Sequence, residues 1–324
     1  MTIETTDQPN TFDPLLTCIG AVKIAQRTIQ QLGVEGRTSV ETPKDIVTVA
    51  DNEVKDEWKK YIASRNVPIK VLTEESEKDP FPEPKNPQYL GIGDEIDGTF
   101  NFYRAGSIFP HCSIFTLYDS LEPKYKDAIA TAVLDHNTGN MWTAKRGKGC
   151  HFIKNTGKKT ITVGGLTPAV SEQVSNERAY VSDKTTLDQD TSIIIDHGPC
   201  VTLETLIKFS KIRQNSWPRN ISSAGIHFAG VASGKTNGFD GFISWGQKPE
   251  ELAAGYLMVT EAGGYVYKVT DAGHLIPMGD ELLDMKRTYK MIATGTNELA
   301  HRISVNIYSD KEAQVMASRA KGIL

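Results

Sequence analysis

The sequence lacks the features that identify several classes of protein. Its four cysteines, Cys18, Cys112, Cys150 and Cys200, are far apart and form no C-x-x-C pair or zinc-ligand spacing, which predicts reduced thiols. No apolar run approaches the ~20 residues that a membrane-spanning helix needs. Residues 1–10 have neither the basic start nor the apolar core of a signal peptide. We therefore expect a cytoplasmic protein with no membrane partner.

Neither sign of charge dominates the chain. It has 36 basic and 40 acidic residues and a net charge of −4, so it has no broad basic field of the kind that a dedicated nucleic-acid-binding protein uses. We expect no nucleic-acid partner. At 324 residues the chain exceeds the length at which a single core usually stops growing, which predicts two domains or two halves of one layered fold.

Apolar periodicity predicts helices and a sheet in the first half. A helix is predicted from Asp13-Pro14 to Gly33, where the helical spacing of apolar residues ends. An extended piece at 45–51 precedes a helix through Trp58 and Ile62. The strands predicted in this half, whose sheet is of largely antiparallel character, are 69–75, 89–96, 112–118, 128–134, 141–145 and 161–163.

From about residue 164 the pattern changes to alternating strands and helices, which is typical of an α/β arrangement. The predicted strands are 179–182, 241–245, 264–269 and 290–294, and the predicted helices are 203–209, 222–233, 249–262 and one that begins at Asn297. The sequence thus predicts an N-terminal α+β half at 12–163 and a C-terminal α/β half at 164–324.

Two carboxylates three residues apart, Asp94 and Asp97, end an apolar strand-like stretch and run directly into Gly98-Thr99. Oxygen ligands of this kind suit hard cations such as Mg²⁺. A Gly-Thr pair that opens a new segment offers backbone N–H groups to a phosphate. A second strand-like run ends in Glu74 and Glu75, although such a pair taken alone is typical of solvated surface charge. The combination predicts a metal-dependent phosphate enzyme.

Four motifs follow one another in a fixed order. They are Asp-x-Val-Thr-x-x-Asp at 45–51, Glu-Glu at 74–75, Asp-x-x-Asp-Gly-Thr-x-Asn-Phe at 94–102, and Ala-Ala-Gly at 253–255 followed by Glu-Ala-Gly-Gly at 261–264. In these motifs the chain resembles the inositol monophosphatase superfamily over most of its length. The resemblance implies a fold between α+β and α/β, a layered α-β-α-β-α sandwich of the sugar phosphatase type. It also implies a homodimer and, in many members, inhibition by Li⁺.

The activity that the resemblance implies is Mg²⁺-dependent hydrolysis of a phosphomonoester, with a small phosphorylated polyol or sugar as the substrate. It implies that Asp51 and Thr99 orient the attacking water. The metal ligands that it implies are Glu74, Asp94, the backbone carbonyl of Ile96, Asp97 and Glu251, and the implied phosphate- and substrate-binding residues are Gly98, Thr99, Ser223, Ala224 and Ser244. As an alternative, Asp51 and Ser223 are of residue types that cap helices.

Three positions depart from the family pattern. Glu251 stands where members usually have an aspartate that binds the second metal ion; a glutamate keeps the charge but adds a methylene. The alternative for Glu251 is a solvated glutamate favoured by the helix dipole. Ser244 stands where inositol-specific members have a glutamate that bonds a ring hydroxyl, so that contact is shortened or lost. Glu95 replaces the usual proline between the two acids.

These departures leave two other functions open. One is a fructose-1,6-bisphosphatase or 3′(2′),5′-bisphosphate nucleotidase of the same fold, in which Arg104, next to Tyr103, would meet a second phosphate. The other is a catalytically weak relative that acts as a binding or regulatory protein. His111 and His136 follow no H-x-x-x-H pattern, and we assign them no role.

Overall fold

The structure is a computed structural model that describes residues 12–41, 46–65, 67–74, 80–105, 108–154, 176–196, 202–236 and 238–308. The helices of these residues are α1 (Pro14–Leu32), α2 (Val49–Ser64), α3 (Thr99–Ala105), α4 (Leu203–Asn215), α5 (Ala224–Ala232), α6 (Pro249–Glu261) and α7 (Asn297–Tyr308). The strands are β1 (Ser39–Glu41), β2 (Ile46–Thr48), β3 (Ile69–Thr73), β4 (Tyr89–Asp97), β5 (Cys112–Tyr118), β6 (Ala128–Asp135), β7 (Met141–Lys145), β8 (Gly149–Ile153), β9 (Asn176–Arg178), β10 (Ser192–Asp196), β11 (Trp217–Arg219), β12 (Gly241–Gln247), β13 (Tyr265–Val269), β14 (Leu275–Pro277) and β15 (Tyr289–Thr294).

Two large sheets organise the chain. The first has seven strands in the order β3-β4-β5-β6-β7-β8-β9, and all its neighbours are antiparallel except β3 and β4. The second has six strands in the order β11-β10-β12-β15-β13-β14, of which the first three are parallel. The prediction of a largely antiparallel first sheet is confirmed.

Three apolar clusters join the helices to the sheets as five layers. Helices α1 and α2 cover the outer face of the seven-stranded sheet, where Trp58 packs edge-on against Phe115. Helices α5 and α6 lie between the sheets, and Phe228 contacts Phe242 there. Helices α4 and α7 cover the outer face of the six-stranded sheet. The predicted α-β-α-β-α sandwich is confirmed.

The first helix shows why the sequence pattern identified its ends. The side chain of Asp13 accepts a hydrogen bond from the backbone N–H of Leu15 at 2.9 Å, and Pro14 occupies the first helical position. Both residue types suit a helix start, because a cap satisfies an otherwise unpaired donor and proline lacks one. At the other end Gly33 has φ = 56°, a conformation that glycine adopts without strain.

Some predicted elements are wrong. Residues 179–182 do not form a strand; β9 ends at Arg178, and beyond it the N–H of Val181 donates to the carbonyl of Ala262 at 3.2 Å, at the end of α6. Strand β10 has no counterpart in the prediction, and α4 continues to Asn215. The predicted strand 161–163 and the predicted boundary at 163/164 lie outside the described residues. Within the described residues, no helix is long and apolar enough to cross a membrane.

The contact between α5 and α6 generates a prediction of stability. A Cβ atom at Gly255 of α6 would lie 2.2 Å from the ring of Phe228 on α5. In an exposed helix a glycine-to-alanine change stabilises the folded protein by up to about 1 kcal/mol. An extra methyl group forced into a well-packed core instead destabilises it by about 1–3 kcal/mol. We therefore expect Gly255→Ala to lower the free energy of unfolding in urea denaturation, and to lower it less in a Phe228→Leu background. A stabilised Gly255→Ala single variant would contradict the close packing.

Candidate metal centre

A β-bulge places Asp94 and Asp97 on the same side of strand β4. In the ladder with β5, Asp94 pairs with Ile114 and Asp97 pairs with Cys112, so three steps along β4 match two along β5. Residues three apart in a regular strand point to opposite faces, and one extra residue restores the same face. Both side chains are buried, with 4% of each exposed.

Glu251 brings a third carboxylate to this pair from the first turn of α6. Oxygen atoms of Asp94, Asp97 and Glu251 all lie within 4.8 Å of one another. Oε2 of Glu251 accepts hydrogen bonds from the Nε2 amide of Gln247 and, at 3.3 Å, from the backbone N–H of Lys248. Three carboxylates this close together, two of them buried and Glu251 partly buried, form the kind of oxygen site that binds a hard divalent cation.

The N-terminus of α5 holds the carboxylate of Asp97. Its Oδ2 accepts from the hydroxyl of Ser223 and from the N–H of Gly225, both at 2.7 Å, and its Oδ1 accepts from the N–H of Ala224 at 3.1 Å. The Sγ of Cys112 donates to the same Oδ2 at 3.2 Å. A helix N-terminus stabilises an anion through its unpaired N–H groups. The donors of Ser223 and Ala224, which the sequence assigns to phosphate, thus contact Asp97 here.

Lys248 is a cation inside this acidic cluster, and the sequence pattern did not identify it. Its Nζ forms an ion pair with Oε1 of Glu74, the residue that follows β3. Burial alone would lower the pKa of Lys248, but the charges of Glu74 and Glu251 raise it overall, so the amine stays protonated. Glu74 is therefore joined to the cluster through Lys248.

The carboxyl groups of the cluster repel one another. Burial raises the pKa of Asp94 well above its usual value, and the charges of Glu74 and Asp97 raise it further. Burial likewise raises the pKa of Glu251 well above its usual value and that of Glu250 to about 7. Burial also raises the pKa of Asp97, although the hydrogen bond from Ser223 opposes the shift. Because one lysine does not balance these charges, the cluster favours protons or a bound cation.

Asp51 and Thr99, the predicted water-orienting pair, each have a partner within their own segment. Oδ2 of Asp51 accepts from both the N–H and the hydroxyl of Thr48 at 2.7 Å, which forms a capping box at the start of α2. Thr48, not Asp51, is therefore the cap residue of this helix. The hydroxyl of Thr99 donates at 2.7 Å to the carbonyl of Ile96, the predicted backbone ligand.

The turn after Asp97 is tied to the loop that precedes α5. Gly98 has φ = 81°, and a Cβ atom there would lie 3.0 Å from the carbonyl oxygen of Ser222. The Nδ2 amide of Asn101 donates to the carbonyls of Pro110 at 2.7 Å and Ile221 at 2.8 Å. Glycine permits both the backbone conformation and the close approach, so this position keeps the two loops in contact beside the acids.

Two further residues show what sequence reasoning could and could not locate. Ser244 is buried in β12, and no hydrogen bond that the structure describes joins it to the acids. Gln247, three residues further on, contacts Glu251 because a register shift between Trp245 and Gln247, with Gly246 at φ = 124°, redirects the end of the strand. The glycine before Gln247 and the proline that begins α6 were the available signals for this contact.

Comparison with known proteins places these features in a family. A model of the inositol monophosphatase family matches residues 15–303. The bifunctional NADP phosphatase/NAD kinase of Methanococcus maripaludis is 28% identical over 69% of this chain and 36% of its own length. The inositol monophosphatase of Dictyostelium discoideum is 26% identical over 68% of this chain and 71% of its own length. The Nus factor SuhB of Pseudomonas aeruginosa is 26% identical over 64% of this chain and 66% of its own length.

The chain thus spans about a third of the Methanococcus maripaludis protein and about two thirds of the other two.

Solved structures share the fold. The extragenic suppressor protein suhB of Bartonella henselae has a TM-score of 0.67 at 20% identity, covering 90% of this chain and 97% of its own. An IMPase/NADP phosphatase complexed with NADP and Ca²⁺ has a TM-score of 0.64 at 16% identity, covering 91% and 95%. Because the family model extends over most of the chain, this protein belongs to the inositol monophosphatase family.

Proposed function

We propose that this protein is a Mg²⁺-dependent phosphomonoesterase that hydrolyses a small phosphorylated polyol or sugar. The observation that carries the proposal is the convergence of three carboxylates from two separate elements of the fold, with Asp94 and Asp97 buried and Glu251 partly buried. A cluster of this kind is costly to bury without a cation. Family membership and a relative described as an inositol monophosphatase support the same class of reaction.

Asp94, Asp97 and Glu251 would hold the metal ion, with Glu74 at the edge of the cluster. A bound Mg²⁺ supplies polarisation of the phosphate ester and activation of a water molecule. A related Staphylococcus aureus protein of this family is described with bound Ca²⁺, which supports a divalent site. Lys248 neutralises Glu74 in this structure, so we infer that the lysine and an arriving cation compete for that carboxylate.

The remaining residues would orient the reactants. Thr99 begins α3 directly after the turn at Gly98, where its hydroxyl would hold the attacking water while Asp51 accepts a proton. The bonds from α5 keep the carboxylate of Asp97 in one orientation. Asn101 keeps the Gly98 turn against the loop before α5. A homodimer remains a prediction from the family resemblance.

A second candidate is a phosphatase whose substrate carries an aromatic base or a second phosphate. A groove of about 790 Å³ between α4 and β11 is lined by Arg213, Arg219 and the largely exposed Trp217. The groove reaches Asn220, whose Oδ1 accepts from the N–H of Ser222 at 2.8 Å, next to the residues that hold Asp97. Guanidinium groups suit phosphates and an indole suits a base. The name of the archaeal relative, an NADP phosphatase, fits this alternative.

One prediction of the proposed function concerns the metal. Glu251→Gln removes one of the three clustered carboxylates, so we expect the dissociation constant for Mg²⁺, measured by isothermal titration calorimetry, to rise about tenfold or more, which is about 1.4 kcal/mol. Glu250→Gln removes the same charge at the adjacent position without removing a ligand, and should have a smaller effect. Equal effects of the two changes would show that Glu251 acts through charge alone.

Another prediction concerns catalysis. Purified protein with Mg²⁺ should release phosphate from at least one of inositol 1-phosphate, fructose 1,6-bisphosphate, NADP and 3′-phosphoadenosine 5′-phosphate, and Asp94→Asn should abolish the release. Because Thr99 is assigned to the water, Thr99→Ala should lower kcat by about 10²-fold or more, whereas Thr99→Ser should retain most of it.

The same assay with four substrates separates the two candidate phosphatase functions. A preference for the two nucleotides favours the groove between α4 and β11 as part of the substrate site. If Mg²⁺ binds as expected but no substrate is cleaved and thermal melting shows a folded protein, the phosphatase proposal fails. The binding or regulatory role would then stand; several relatives carry the name Nus factor SuhB.

A further inference from the structure

The amide of Gln247 lies against the carboxylate of Glu251, the acid that α6 contributes to the metal centre. Gln247 is buried, with 2% exposed, and its Nε2 donates to Oε2 of Glu251. The backbone N–H of Lys248 donates to the same oxygen at 3.3 Å. An amide nitrogen donates to a carboxylate whereas an amide oxygen only accepts, so the contact itself sets the orientation of the amide. The proposed reaction gives Gln247 no role.

The backbone on both sides of Gln247 restrains this contact. Strand β12 shifts its register against β15 between Trp245 and Gln247, and Gly246 has φ = 124° there, a conformation that glycine permits. Pro249, whose ring fixes its own φ, begins α6 two residues after Gln247. Because the side chain is buried and the turn is restrained, we expect the amide to stay on Glu251 when an ion binds.

The donors divide the two oxygens of each ligand between the protein and an ion. Both hydrogen bonds to Glu251 go to Oε2, and no described residue donates to Oε1. Asp97 shows the same division: its Oδ2 accepts from Ser223, Gly225 and Cys112, whereas its Oδ1 accepts one backbone N–H at 3.1 Å. A carboxylate oxygen has about two lone-pair sites, so these donors leave one oxygen of each acid for coordination.

The number of oxygens that a carboxylate offers affects divalent cations differently. Ca²⁺ takes about six to eight oxygen ligands in a flexible shell and often binds both oxygens of one carboxylate. Mg²⁺ is smaller, demands near-octahedral geometry and keeps several of its water molecules. A glutamate that is restricted to one oxygen therefore costs Ca²⁺ a ligand, whereas Mg²⁺ fills the position with water.

We propose that Gln247 makes the metal centre selective for Mg²⁺ over Ca²⁺, because it restricts Glu251 to one coordinating oxygen. This inference rests on the metal centre of the proposed function. Gln247 is a positioning residue, since it acts through Glu251 and does not itself contact the ion. Without its amide, only the longer bond from Lys248 holds Oε2, and the carboxylate of Glu251 turns to offer both oxygens to Ca²⁺.

The test compares Mg²⁺ and Ca²⁺ binding by isothermal titration calorimetry of the full chain without substrate. Gln247→Met keeps the length of the side chain and removes the donor. We expect it to raise the dissociation constant for Mg²⁺ about tenfold and to leave that for Ca²⁺ unchanged or lower. Gln26→Met makes the same change at a buried glutamine of α1 and should leave the ratio of the two constants unchanged. Thermal melting checks that both variants are folded.

A second measurement uses the unaltered protein. In crystals soaked with Ca²⁺, the ion should contact Oε1 of Glu251 alone, with Gln247 still bonded to Oε2. Ca²⁺ on both oxygens would overturn the inference, as would an equal fold-change for both cations in Gln247→Met or a changed ratio in Gln26→Met.

These measurements separate the inference from the proposed reaction. If the predicted selectivity is found but none of the four substrates is cleaved, only the phosphatase proposal fails. If neither cation binds, both the metal centre and the role of Gln247 are refuted.

Discussion

The mutual repulsion of buried carboxylates is the constraint on which the site depends. Oxygen atoms of Asp94, Asp97 and Glu251 lie within 4.8 Å of one another, with Asp94 and Asp97 buried and Glu251 partly buried. In water two such charges would separate, and inside a protein their repulsion is stronger because the medium screens it less. The fold must therefore hold them together, and a protein that accepts this cost at one place gains a strong preference for cations there.

The elements that hold the acids come from the seven-stranded sheet and from the layer between the two sheets. Strand β4 supplies Asp94 and Asp97 through its bulge, α5 fixes Asp97 with three donors, and α6 supplies Glu251. Helices α5 and α6 start near one another because they pack side by side at Gly255 and Phe228. The close packing of the middle layer is thus a condition for the geometry of the acids.

The sequence predicted the elements whose signals are local. The ends of α1 follow from Asp13, Pro14 and Gly33, and the pair Asp94 and Asp97 stood out because both acids end an apolar strand and precede Gly-Thr. Features that depend on pairing between distant segments were not predictable in this way. The bulge in β4 exists only relative to β5, and Lys248 approaches Glu74 across 174 positions of sequence. Strand β9 pairs with β8, although the predicted boundary between the N-terminal and C-terminal halves falls between them in the sequence.

Anomalous diffraction from crystals grown with Mn²⁺ tests the central claim most directly, because it locates the ion without reference to activity. The account predicts a peak at about 2.1 Å from oxygen atoms of Asp94, Asp97 and Glu251, with Lys248 moved away from Glu74. Density that shows no ion among these three side chains at saturating Mn²⁺, with the ion pair of Lys248 and Glu74 intact, would contradict it.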